Sequence, residues 1–424
     1  MKVDVLLGLQ WGDEGKGKIV DVLAPHYQVV ARFQGGPNAG HTLEFDGIKH
    51  VLHQIPSGVF RKDTKNIIGN GVVLDPIVFR KEVNALEKYN INLKENLFIS
   101  KKAQIIIPTH KLLDKAYEQA MGENKIGSTQ RGIGPTYTDK VSRQGLRVGD
   151  ILSKNFEKKY TDLVNKHINI LELYRYDYYA VLKSTEEEFL SSVEFMRQFN
   201  LIDSEYEINE ALNNNQTVLA EGAQGSLLDI DFGSYPFVTS SNTMSAGACT
   251  GLGVAPKNIG EVYGIFKAYA TRVGSGPFPT ELLDEVGERL RKEGNEFGAT
   301  TGRPRRCGWI DLPSLKYAIM LSGVTQLIMM KSDVLNHFET IKVCTQYQLP
   351  DGELTDKMPF DVCDIEIKPV YIEFKGWNTS LEGIRDFEKL PKELNEYIQY
   401  LEKELNVPIS YLSTGPNRVD TLKK

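Results

Sequence analysis

The sequence predicts an α/β fold in which a large, mostly parallel sheet is flanked by helices. Three observations support this prediction. Short apolar runs rich in β-branched residues recur along the chain, amphipathic stretches lie between them, and the first apolar run leads directly into a glycine-rich loop. Strands that alternate with helices are typical of parallel sheets, so this order of segments indicates the α/β class.

The apolar runs are too short to be typical helices, and each is bounded by turn residues. Their continuous apolar character indicates burial on both faces, as in a parallel sheet that is covered by helices. Taken in chain order, the predicted strands lie at 3–9, 29–33, 67–74, 217–220, 326–330 and 407–412.

Helices are predicted where apolar residues recur every three to four positions, most clearly at 110–120 and 155–199. Two β-hairpins are expected as excursions from the sheet, one at 42–53 around Asp46-Gly47 and one that begins at 339–349 before a Pro-Asp-Gly turn. No linker rich in proline or serine divides the chain. The prediction is a single domain over 1–424, with a helical insertion at about 110–200 and hairpin excursions at about 42–53 and 339–375.

Composition excludes several classes of protein. A chain of 424 residues with 41% hydrophobic residues can bury a large core, and a net charge of −6 argues against sequence-independent nucleic-acid binding. No apolar run approaches the roughly 20 residues of a membrane span, and no secretory signal precedes the first strand. The 4 cysteines are scattered without metal-site or disulfide spacing. We therefore expect a cytoplasmic protein without a membrane or nucleic-acid partner.

The first glycine-rich loop follows the first strand and fits the phosphate-loop pattern G-x4-G-K, from Gly12 to Lys18. Inward-facing N–H groups, a helix N-terminus and Lys18 together favour the phosphates of a nucleoside triphosphate. Ile19 stands where that pattern places a hydroxyl for Mg²⁺, so another ligand must hold the metal. Asp13 is the nearest hard oxygen ligand. The alternative is a plain glycine-rich turn with a solvated acid.

A second glycine-rich loop, 35–42, follows the second strand and is expected at the same edge of the sheet. His41 in this loop can donate a hydrogen bond to a phosphate oxygen, and the backbone at Gly40 can offer a carbonyl to a metal. A histidine by itself is more often structural or on the surface. Its place in a glycine-rich loop favours the functional interpretation.

The segment Lys331-Ser332-Asp333 follows the fifth predicted strand, as the K-x-D sequence of guanine-specific proteins does. Asp333 can accept hydrogen bonds from guanine N1–H and the exocyclic amine, whereas adenine leaves it unpaired. The alternative is a helix cap made by Ser332 or Asp333. The local sequence does not decide between the two.

Three further glycine-rich segments are too polar for a core, at 127–135, 221–225 and 298–306. The last of them holds Arg303, Arg305 and Arg306, and three arginines in four residues repel one another unless anions lie between them. An anionic substrate such as a dicarboxylic amino acid fits this segment. A solvated basic turn is the alternative.

Together, these motifs closely resemble the adenylosuccinate synthetase family, and the resemblance runs nearly from end to end. It rests on the two loops just described, the segment 10–18 and the segment 34–42, and on further stretches. These stretches lie at 68–73, 221–225, 239–243, 276–282 and 413–416. The resemblance implies a GTP-dependent carbon–nitrogen ligase of purine synthesis, which joins IMP and L-aspartate to form adenylosuccinate, GDP and phosphate.

The resemblance implies roles for the two catalytic residues. Asp13 removes a proton from the IMP base so that O6 attacks the γ-phosphate of GTP, and His41 stabilises the developing charge. Aspartate then displaces phosphate from the 6-phosphoryl-IMP intermediate. One Mg²⁺ per subunit is expected on Asp13 and the Gly40 carbonyl, which accounts for Ile19.

The resemblance also implies the substrate-binding residues. Those for GTP are Gly12, Asp13, Glu14, Gly15, Lys16, Gly17, Lys18, Gly40, His41, Thr42, Arg305, Lys331, Ser332, Asp333, Ser413, Thr414 and Gly415. Those for IMP are Asp13, Glu14, Gly15, Lys16, Asn38, Ala39, Gly40, His41, Thr129, Arg143, Gln224, Thr239 and Arg303. Those for aspartate are Ala299, Thr300, Thr301, Gly302, Arg303, Pro304 and Arg305. Arg143 is expected to reach over from the partner subunit, which implies a homodimer.

Two positions depart from the family pattern: Gln130 stands where glycine is common, and Pro304 interrupts the arginine run. Pro304 has no N–H, so any backbone donor at that point is lost. Two other functions are compatible with a phosphate loop. A regulatory GTP-binding switch would turn over GTP without a second substrate, and a nucleotide kinase would ignore aspartate. Ile19 disfavours the switch, and the arginine-rich segment disfavours the kinase.

Overall fold

The computed structural model describes residues 1–45, 47–298 and 302–424. Its strands are β1 (Val3–Gly8), β2 (Val29–Arg32), β3 (His41–Phe45), β4 (Ile48–Leu52), β5 (Lys65–Ile68), β6 (Val73–Leu74), β7 (Leu97–Ser100), β8 (Gln104–Ile105), β9 (Asn200–Ile202), β10 (Val218–Glu221), β11 (Ile259–Lys267), β12 (Ala270–Arg272), β13 (Arg306–Gly308), β14 (Ile310–Asp311), β15 (Gln326–Met330), β16 (Thr340–Gln348), β17 (Leu354–Thr355), β18 (Lys368–Lys375), β19 (Ile409–Ser413) and β20 (Thr421–Lys423).

The helices of the described residues alternate with these strands. They are α1 (Lys16–Leu23), α2 (Pro76–Glu87), α3 (Leu93–Asn96), α4 (Pro108–Met121), α5 (Ile133–Ser142), α6 (Phe156–Leu173), α7 (Tyr179–Met196), α8 (Ser204–Asn213), α9 (Ser245–Leu252), α10 (Glu285–Glu293), α11 (Leu312–Ser322) and α12 (Lys392–Leu405). None of them combines the length and apolar content that crossing a bilayer requires.

A 10-stranded sheet forms the centre of the molecule, in the order β20-β19-β15-β11-β1-β10-β2-β5-β7-β9. Every neighbouring pair is parallel except β19 and β20, which are antiparallel. Val5 of the central strand β1 pairs with Ala220 on one side and Val262 on the other. The predicted α/β class with a large, mostly parallel sheet is confirmed.

Each predicted strand overlaps a strand of this sheet, but the run 67–74 is divided. β5 ends at Ile68, and the chain turns before β6, which pairs with β8 in a separate small sheet. A Cβ at Gly71 would come within 2.1 Å of the Phe33 carbonyl oxygen. The backbone of the turn therefore passes too close to its neighbour for a continuous strand with side chains.

The predicted helix 155–199 is also divided, into α6 and α7, with Arg175 in the left-handed region at a φ of 53°. The predicted hairpin at 42–53 is confirmed as β3 and β4, in which Thr42 pairs with Val51. The predicted turn residue Asp46 lies outside the described residues. The hairpin that begins at 339 is confirmed as β16, which pairs with both β17 and β18.

Two large apolar clusters lie on this framework. One is built on β1, β10, β11 and β15 and extends to α11 and α12. The other is built on α2, α4, α6 and α7 and packs beside the strands β5 and β7. Helices α4, α6 and α7 lie in the predicted insertion and α2 precedes it, so the insertion shares one apolar cluster with α2 and with this part of the sheet.

Candidate active site

Loops that carry the predicted site residues leave the same edge of the sheet, because parallel strands present their carboxyl ends together. These loops follow β1, β2, β10, β15 and β19. The loops after β2 and β10 are joined directly, since the Gln34 side-chain amide donates to the Ala223 carbonyl at 2.5 Å. The edge is therefore where one substrate pocket can use several loops.

The first loop joins β1 to α1, as the phosphate-loop pattern predicts. Gly12 and Gly15 have φ values of 86° and 100°, which glycine adopts without steric cost. Asp13 has a φ of 59°, which is unusual for a residue with a side chain. Such conformations are found at functional sites, where surrounding contacts hold them in place.

Glu14 lies inside this loop and is buried. Its Oε1 accepts hydrogen bonds from the backbone N–H of Gln10 at 3.1 Å and of Gly12 at 2.8 Å, and its Oε2 pairs with Lys16 Nζ at 2.6 Å. The carboxylate thus sits among inward-facing amides, which are a ready anion site. In this structure Glu14 occupies these two N–H groups and the Lys16 ammonium.

The two lysines of the loop have different surroundings. Lys16 pairs with Glu14, whereas Lys18 Nζ donates to Ser413 Oγ at 2.8 Å and to the Gly415 carbonyl at 2.7 Å. Burial lowers the pKa of Lys18 to about 8. In this structure Lys18 therefore connects the phosphate loop to the predicted guanine site.

Asp13 makes an ion pair with Arg305, whose Nε lies 2.6 Å from Asp13 Oδ2. Arg305 Nη1 also contacts Oε2 of the buried Glu296 at 2.6 Å, and Glu296 pairs with the buried Lys267 at 2.8 Å. The position of the Arg305 guanidinium is thus fixed by the buried pair Glu296 and Lys267. The ion pair with Arg305 brings together the predicted proton acceptor Asp13 and the predicted aspartate-binding segment.

His41 lies beside the start of α1, because a Cβ at Gly17 would come within 2.9 Å of the His41 Cβ. Its Nδ1 is 2.5 Å from Glu221 Oε1. A carboxylate only accepts hydrogen bonds, so Nδ1 carries a proton. Glu221 also accepts from the Ser57 hydroxyl at 2.6 Å and from the Ser57 N–H at 2.8 Å. The orientation of the imidazole is fixed by this contact.

The other ring nitrogen of His41, Nε2, is buried without a hydrogen-bond partner among the described residues. Burial lowers the pKa of His41, and the nearby charge of Arg32 lowers it further. Without a bound anion the ring is therefore neutral and Nε2 is an acceptor. An anion at Nε2 would favour the imidazolium, whose positive charge Glu221 already balances.

Residues predicted to bind IMP meet between the loops after β2 and β10. Gln224 Nε2 donates to Asn38 Oδ1 at 3.2 Å. Gln224 Oε1 and Thr239 Oγ1 are buried and have no hydrogen-bond partner in the described part of the chain. A buried polar atom without a partner is costly in a folded protein, so these atoms mark a place for a polar ligand.

The predicted guanine site has the same character. Lys331, with a φ of 63°, turns the chain after β15, and Ser332 Oγ donates to the Ser413 carbonyl at 2.6 Å. Asp333 Oδ1 is buried and has no hydrogen-bond partner within the described residues. Burial raises the pKa of Asp333. The structure thus gives this carboxylate an open acceptor. The short helical turn that begins at Ser332 has Lys331 as its N-cap and no side-chain cap, so the capping alternative for Ser332 or Asp333 is wrong.

The predicted aspartate-binding segment is only partly described, because Ala299, Thr300 and Thr301 lie outside the described residues. Gly302 has a φ of 64°, and Pro304 forms an isolated bridge with Phe297. The arginines of the segment diverge, since Arg306 Nε pairs with Glu281 at 2.7 Å while Arg305 faces Asp13. Carboxylates of the protein therefore offset the repulsion between Arg305 and Arg306 that their spacing implies.

The remaining predicted residues lie around this edge or farther along the insertion. The Ala39 carbonyl contacts His53 Nδ1 at 2.7 Å, and the Thr414 N–H donates to the Asp420 carbonyl at 2.9 Å. Thr129 is exposed in the segment before α5. Arg143 follows the last turn of α5, is exposed, and has a φ of 64°.

Glu221, Glu296 and Lys267 are the buried charges that the sequence reasoning missed as site residues. Glu221 is the last residue of β10 and the first of the glycine-rich segment 221–225, and a charged residue at the carboxyl end of a parallel strand is a signal that could have identified it. Glu296 and Lys267 meet only through the fold, as their 2.8 Å contact joins positions 29 residues apart. No local pattern identifies that pair.

The chemistry of the donors fits a magnesium ion. Ile19 is buried in an apolar cluster, so α1 offers no hydroxyl ligand at that position. Asp13 is the partly exposed carboxylate of the loop, with 35% of its side chain accessible. Magnesium in nucleotide sites takes one or two protein oxygens and completes its shell with phosphates and water, so a single carboxylate with a carbonyl is sufficient.

Comparisons with known proteins agree along the whole chain. The family model described as adenylosuccinate synthetase matches residues 5–422. Adenylosuccinate synthetase of Cytophaga hutchinsonii is 64% identical over 100% of this chain and 98% of its own length. That of Bacteroides fragilis is 61% identical over 100% of this chain and 99% of its own length.

Solved structures agree as well. A fully ligated adenylosuccinate synthetase from Plasmodium falciparum superposes with a TM-score of 0.92 and 38% identity, with all of both chains covered. Nothing in these matches supports a regulatory GTP-binding switch. From its sequence, its sheet and the arrangement of its loops, the chain belongs to the adenylosuccinate synthetase family.

Proposed function

We propose that the loops at the carboxyl edge of the sheet are the parts with which this chain performs the reaction of its family. That reaction is the GTP-dependent ligation of IMP and L-aspartate to adenylosuccinate, with release of GDP and phosphate, in purine nucleotide synthesis. The observation that carries the proposal is a set of buried polar atoms without hydrogen-bond partners among the described residues. They are His41 Nε2, Gln224 Oε1, Thr239 Oγ1 and Asp333 Oδ1.

In the proposed first step, Asp13 is the general base. A carboxylate at this place takes the N1 proton of the IMP base, and O6 then attacks the γ-phosphorus of GTP while the bond to the GDP oxygen breaks. Asp13 is suited to this role by its partial exposure and its fixed backbone, and Arg305 keeps its Oδ2 oriented at 2.6 Å. The product of the step is 6-phosphoryl-IMP.

His41 stabilises the phosphoryl group during this transfer. An imidazolium with Nδ1–H on Glu221 has Nε2–H free to donate to a phosphate oxygen, and the carboxylate 2.5 Å away balances its charge. The ring does not need to reorient, because Glu221 and Ser57 already fix it. Preorganised donors of this kind lower the barrier without a further cost in reorganisation.

In the second step the amine of aspartate attacks C6 of the purine, the bond between C6 and the phosphoryl oxygen breaks, phosphate leaves, and the amine releases one proton. We assign the aspartate carboxylates to the segment 299–305, in which Arg303 and Arg305 supply guanidinium groups suited to bidentate contacts with carboxylates. Arg305 is held from below by Glu296 at 2.6 Å. Because Arg305 also faces Asp13, both steps take place in one pocket.

One Mg²⁺ per subunit is assigned to Asp13 and the Gly40 carbonyl. When bound, it supplies positive charge to the phosphates of GTP. The nucleotides are assigned to two sides of the pocket. Guanine is assigned to Lys331, Ser332, Asp333 and residues 413–415. The GTP phosphates are assigned to residues 12–18 with Gly40, His41 and Thr42. IMP is assigned to Asn38, Ala39, Thr129, Gln224, Thr239 and Arg303.

A homodimer completes the proposed site. Arg143 lies at the exposed end of α5, beside Val141, of which 80% is exposed. An exposed aliphatic residue beside an exposed arginine is suited to a subunit contact, in which Arg143 reaches the IMP of the partner.

We also propose that the chain is one domain and that it works in the cytoplasm, which agrees with 4 cysteines that are all free thiols.

The proposal is tested by supplying purified protein with GTP, Mg²⁺, IMP and L-aspartate and following the absorbance change of the N6-substituted purine. We expect turnover that stops when any one component is left out. Undiminished GTP hydrolysis without IMP and aspartate would contradict the ligase. Stable phosphorylation of IMP at an aspartate-independent rate would point to a kinase.

A further inference from the structure

Helix α4 lies outside the sheet edge, yet two of its buried carboxylates contact the segment 127–132, which carries Thr129. Asp114 and Glu118 are only 7% and 8% exposed, and each contacts a different end of the segment. Glu118 Oε2 accepts from the Gly127 N–H at 2.9 Å, and Asp114 Oδ2 accepts from the Gly132 N–H at 2.8 Å. The segment is thus attached to the helix at both ends.

The two attachment points are the places where the backbone is most constrained. Gly127 and Gly132 have φ values of 83° and 79°, in the left-handed region that glycine favours. A Cβ at Gly132 would also come within 2.9 Å of the His110 Cβ, so this end packs directly on the first turns of α4. The carboxylates therefore fix the N–H groups of the two glycines at which the segment turns.

A third contact acts in the middle of the segment. Asp114 Oδ1 accepts from the Ser128 hydroxyl at 2.8 Å, and Ser128 Oγ in turn accepts from the Gln130 N–H at 3.2 Å. Gln130 has a φ of 55°, in the position where the family commonly has glycine. The relay from Asp114 through Ser128 supports this left-handed turn, which places Thr129 between two fixed residues.

The two buried carboxylates Asp114 and Glu118 are electrostatically unfavourable without the hydrogen-bond donors of the segment 127–132. Asp114 and Glu118 are four residues apart on one helix face, and like charges at this spacing repel each other. Burial raises the pKa of Asp114, while the hydrogen bonds from Ser128 and Gly132 oppose that effect. The N–H and O–H donors of the segment therefore compensate two buried carboxylates, which stabilises this conformation of the segment.

His110 lies one turn before Asp114 on the same face of α4, and it contacts Asp139 of α5. Its Nδ1 accepts from the Ile107 N–H at 3.0 Å, so the proton is on Nε2, which donates to Asp139 Oδ2 at 3.0 Å. His167 Nε2 contacts the same oxygen at 2.7 Å. The three side chains have the composition of a metal site. Both nitrogens of His110 are already engaged, however, so Nε2 cannot bind a metal as a neutral imidazole.

We propose that Asp114 and Glu118 are positioning residues for the IMP side of the reaction, because their carboxylates preorganise the segment 127–132 from behind. This inference rests on the assignment of Thr129 to IMP. Neither carboxylate touches the substrate. A segment that is ordered in advance lowers the entropic cost of binding, so these residues act on the affinity for IMP and leave GTP and the chemical step unaffected.

The test measures initial rates of Asp114→Asn, Glu118→Ala and Glu118→Gln with IMP and GTP varied in turn. The Asn amide places a donor where Asp114 accepts two hydrogen bonds, and alanine removes the acceptor of Gly127. We expect the KM for IMP to rise on the order of ten-fold in Asp114→Asn and Glu118→Ala, with kcat and the KM for GTP within about two-fold. Glu118→Gln keeps an acceptor oxygen and restores an IMP KM near that of the parent protein.

Gln119→Ala is the matched control, because Gln119 is the exposed neighbour of Glu118 on the same helix. Its constants are expected to match those of the parent protein. Melting temperatures establish that each variant is folded. An unchanged IMP KM in folded Asp114→Asn would overturn the inference, and so would parallel changes in kcat and in both KM values.

Ser128→Ala covers the case in which Asp114→Asn does not fold, because it removes the hydroxyl between Asp114 and Gln130 from the segment itself. A rise of several-fold in the IMP KM is expected, and no change overturns the inference. Thr129→Ala distinguishes the binding of IMP by Thr129 from the positioning role of Asp114 and Glu118. If Thr129→Ala raises the IMP KM while the α4 variants do not, only the positioning role fails; if Thr129→Ala has no effect, the assignment of Thr129 to IMP fails.

Discussion

Arg305 Nε lies 2.6 Å from Oδ2 of Asp13, so a cation from the arginine-rich segment contacts the acid of the phosphate loop directly. The two residues are 292 positions apart in the chain. Arg305 is further held by Glu296, which itself pairs with Lys267. A buried chain of alternating charges thus ends at the proposed general base, and it links the phosphoryl-transfer step to the aspartate side of the pocket.

The role of the Glu221 charge can be separated from its hydrogen bond. Glu221→Gln keeps an oxygen that accepts from His41 Nδ1, but it removes the negative charge that favours the imidazolium. We expect kcat to fall by roughly ten- to a hundred-fold, and the alkaline limb of the kcat–pH profile to move to lower pH. Ser57→Ala, which removes a hydroxyl from Glu221 without changing charge, is the control and should cost less. An unshifted alkaline limb in Glu221→Gln would exclude a protonated His41.

Guanine recognition is tested at Asp333. Asp333→Asn removes one of two acceptors for N1–H and the exocyclic amine, and it adds a donor that suits xanthine. We expect the KM for GTP to rise about ten-fold or more, the IMP KM to remain unchanged, and xanthosine triphosphate to become the better substrate of the two. Equal use of GTP by the parent protein and the variant would assign Asp333 to the short helical turn alone.

The cross-subunit assignment of Arg143 predicts complementation between two inactive variants. Arg143→Ala and Asp13→Ala each lack one part of the site, and a mixed dimer contains one site with both parts intact. We expect an equimolar mixture, after subunit exchange, to recover about a quarter of the parent activity, because half of the dimers are mixed and each has one working site. A mixture that remains inactive after exchange is demonstrated would place Arg143 in the site of its own subunit.

Glu82 predicts a pH-dependent difference in stability. Its buried carboxylate accepts from the N–H groups of His53, Gln54 and Ile55 at the end of the β3–β4 hairpin, at 2.7, 3.1 and 3.2 Å. Burial raises the pKa of Glu82 to about 7. A raised pKa in the folded state favours protonation, so the contribution to stability is present at low pH and is lost as pH rises through about 7.

Glu82→Gln lacks this titration. As pH rises from 5 to 8, the free energy of unfolding of the variant should therefore increase relative to that of the parent protein, by up to about 3 kcal/mol. Urea unfolding at several pH values measures the difference. Glu87→Gln, on the exposed side of the same helix, is the control and should track the parent protein. A difference that is independent of pH would contradict the raised pKa.

The sequence predicted the parts of the fold that depend on local pattern. The run 3–9, the glycine-rich loop and α1 were predictable because a buried strand, the conformational freedom of glycine and a helix start each leave a local signal. β11 was missed, although it is a neighbour of the central strand β1. Its β-branched and aromatic residues are interrupted by Gly260 and Gly264, and at Gly264 a Cβ would come within 2.7 Å of Leu9 Cδ1, so close packing requires a residue that weakens the strand pattern.

The site was predictable in its loops but less so in its electrostatics. Asp13, His41 and Asp333 were singled out from glycine-rich or strand-end positions, which are visible in sequence. The partners that set their behaviour were not. Glu221 contacts His41 across 180 positions of the chain, and Arg305 contacts Asp13 across 292. Such contacts depend on strand order, which a single sequence does not specify.

The central claim is that Asp13 is the base that activates IMP, and the kcat of Asp13→Asn tests it most directly. Asparagine has the same shape and keeps an oxygen for Arg305, but it cannot accept the N1 proton. We predict a loss of roughly a hundred- to ten-thousand-fold in kcat, with an unchanged melting temperature and with IMP still bound in calorimetry. A folded Asp13→Asn that turns over within a few-fold of the parent protein would contradict the account.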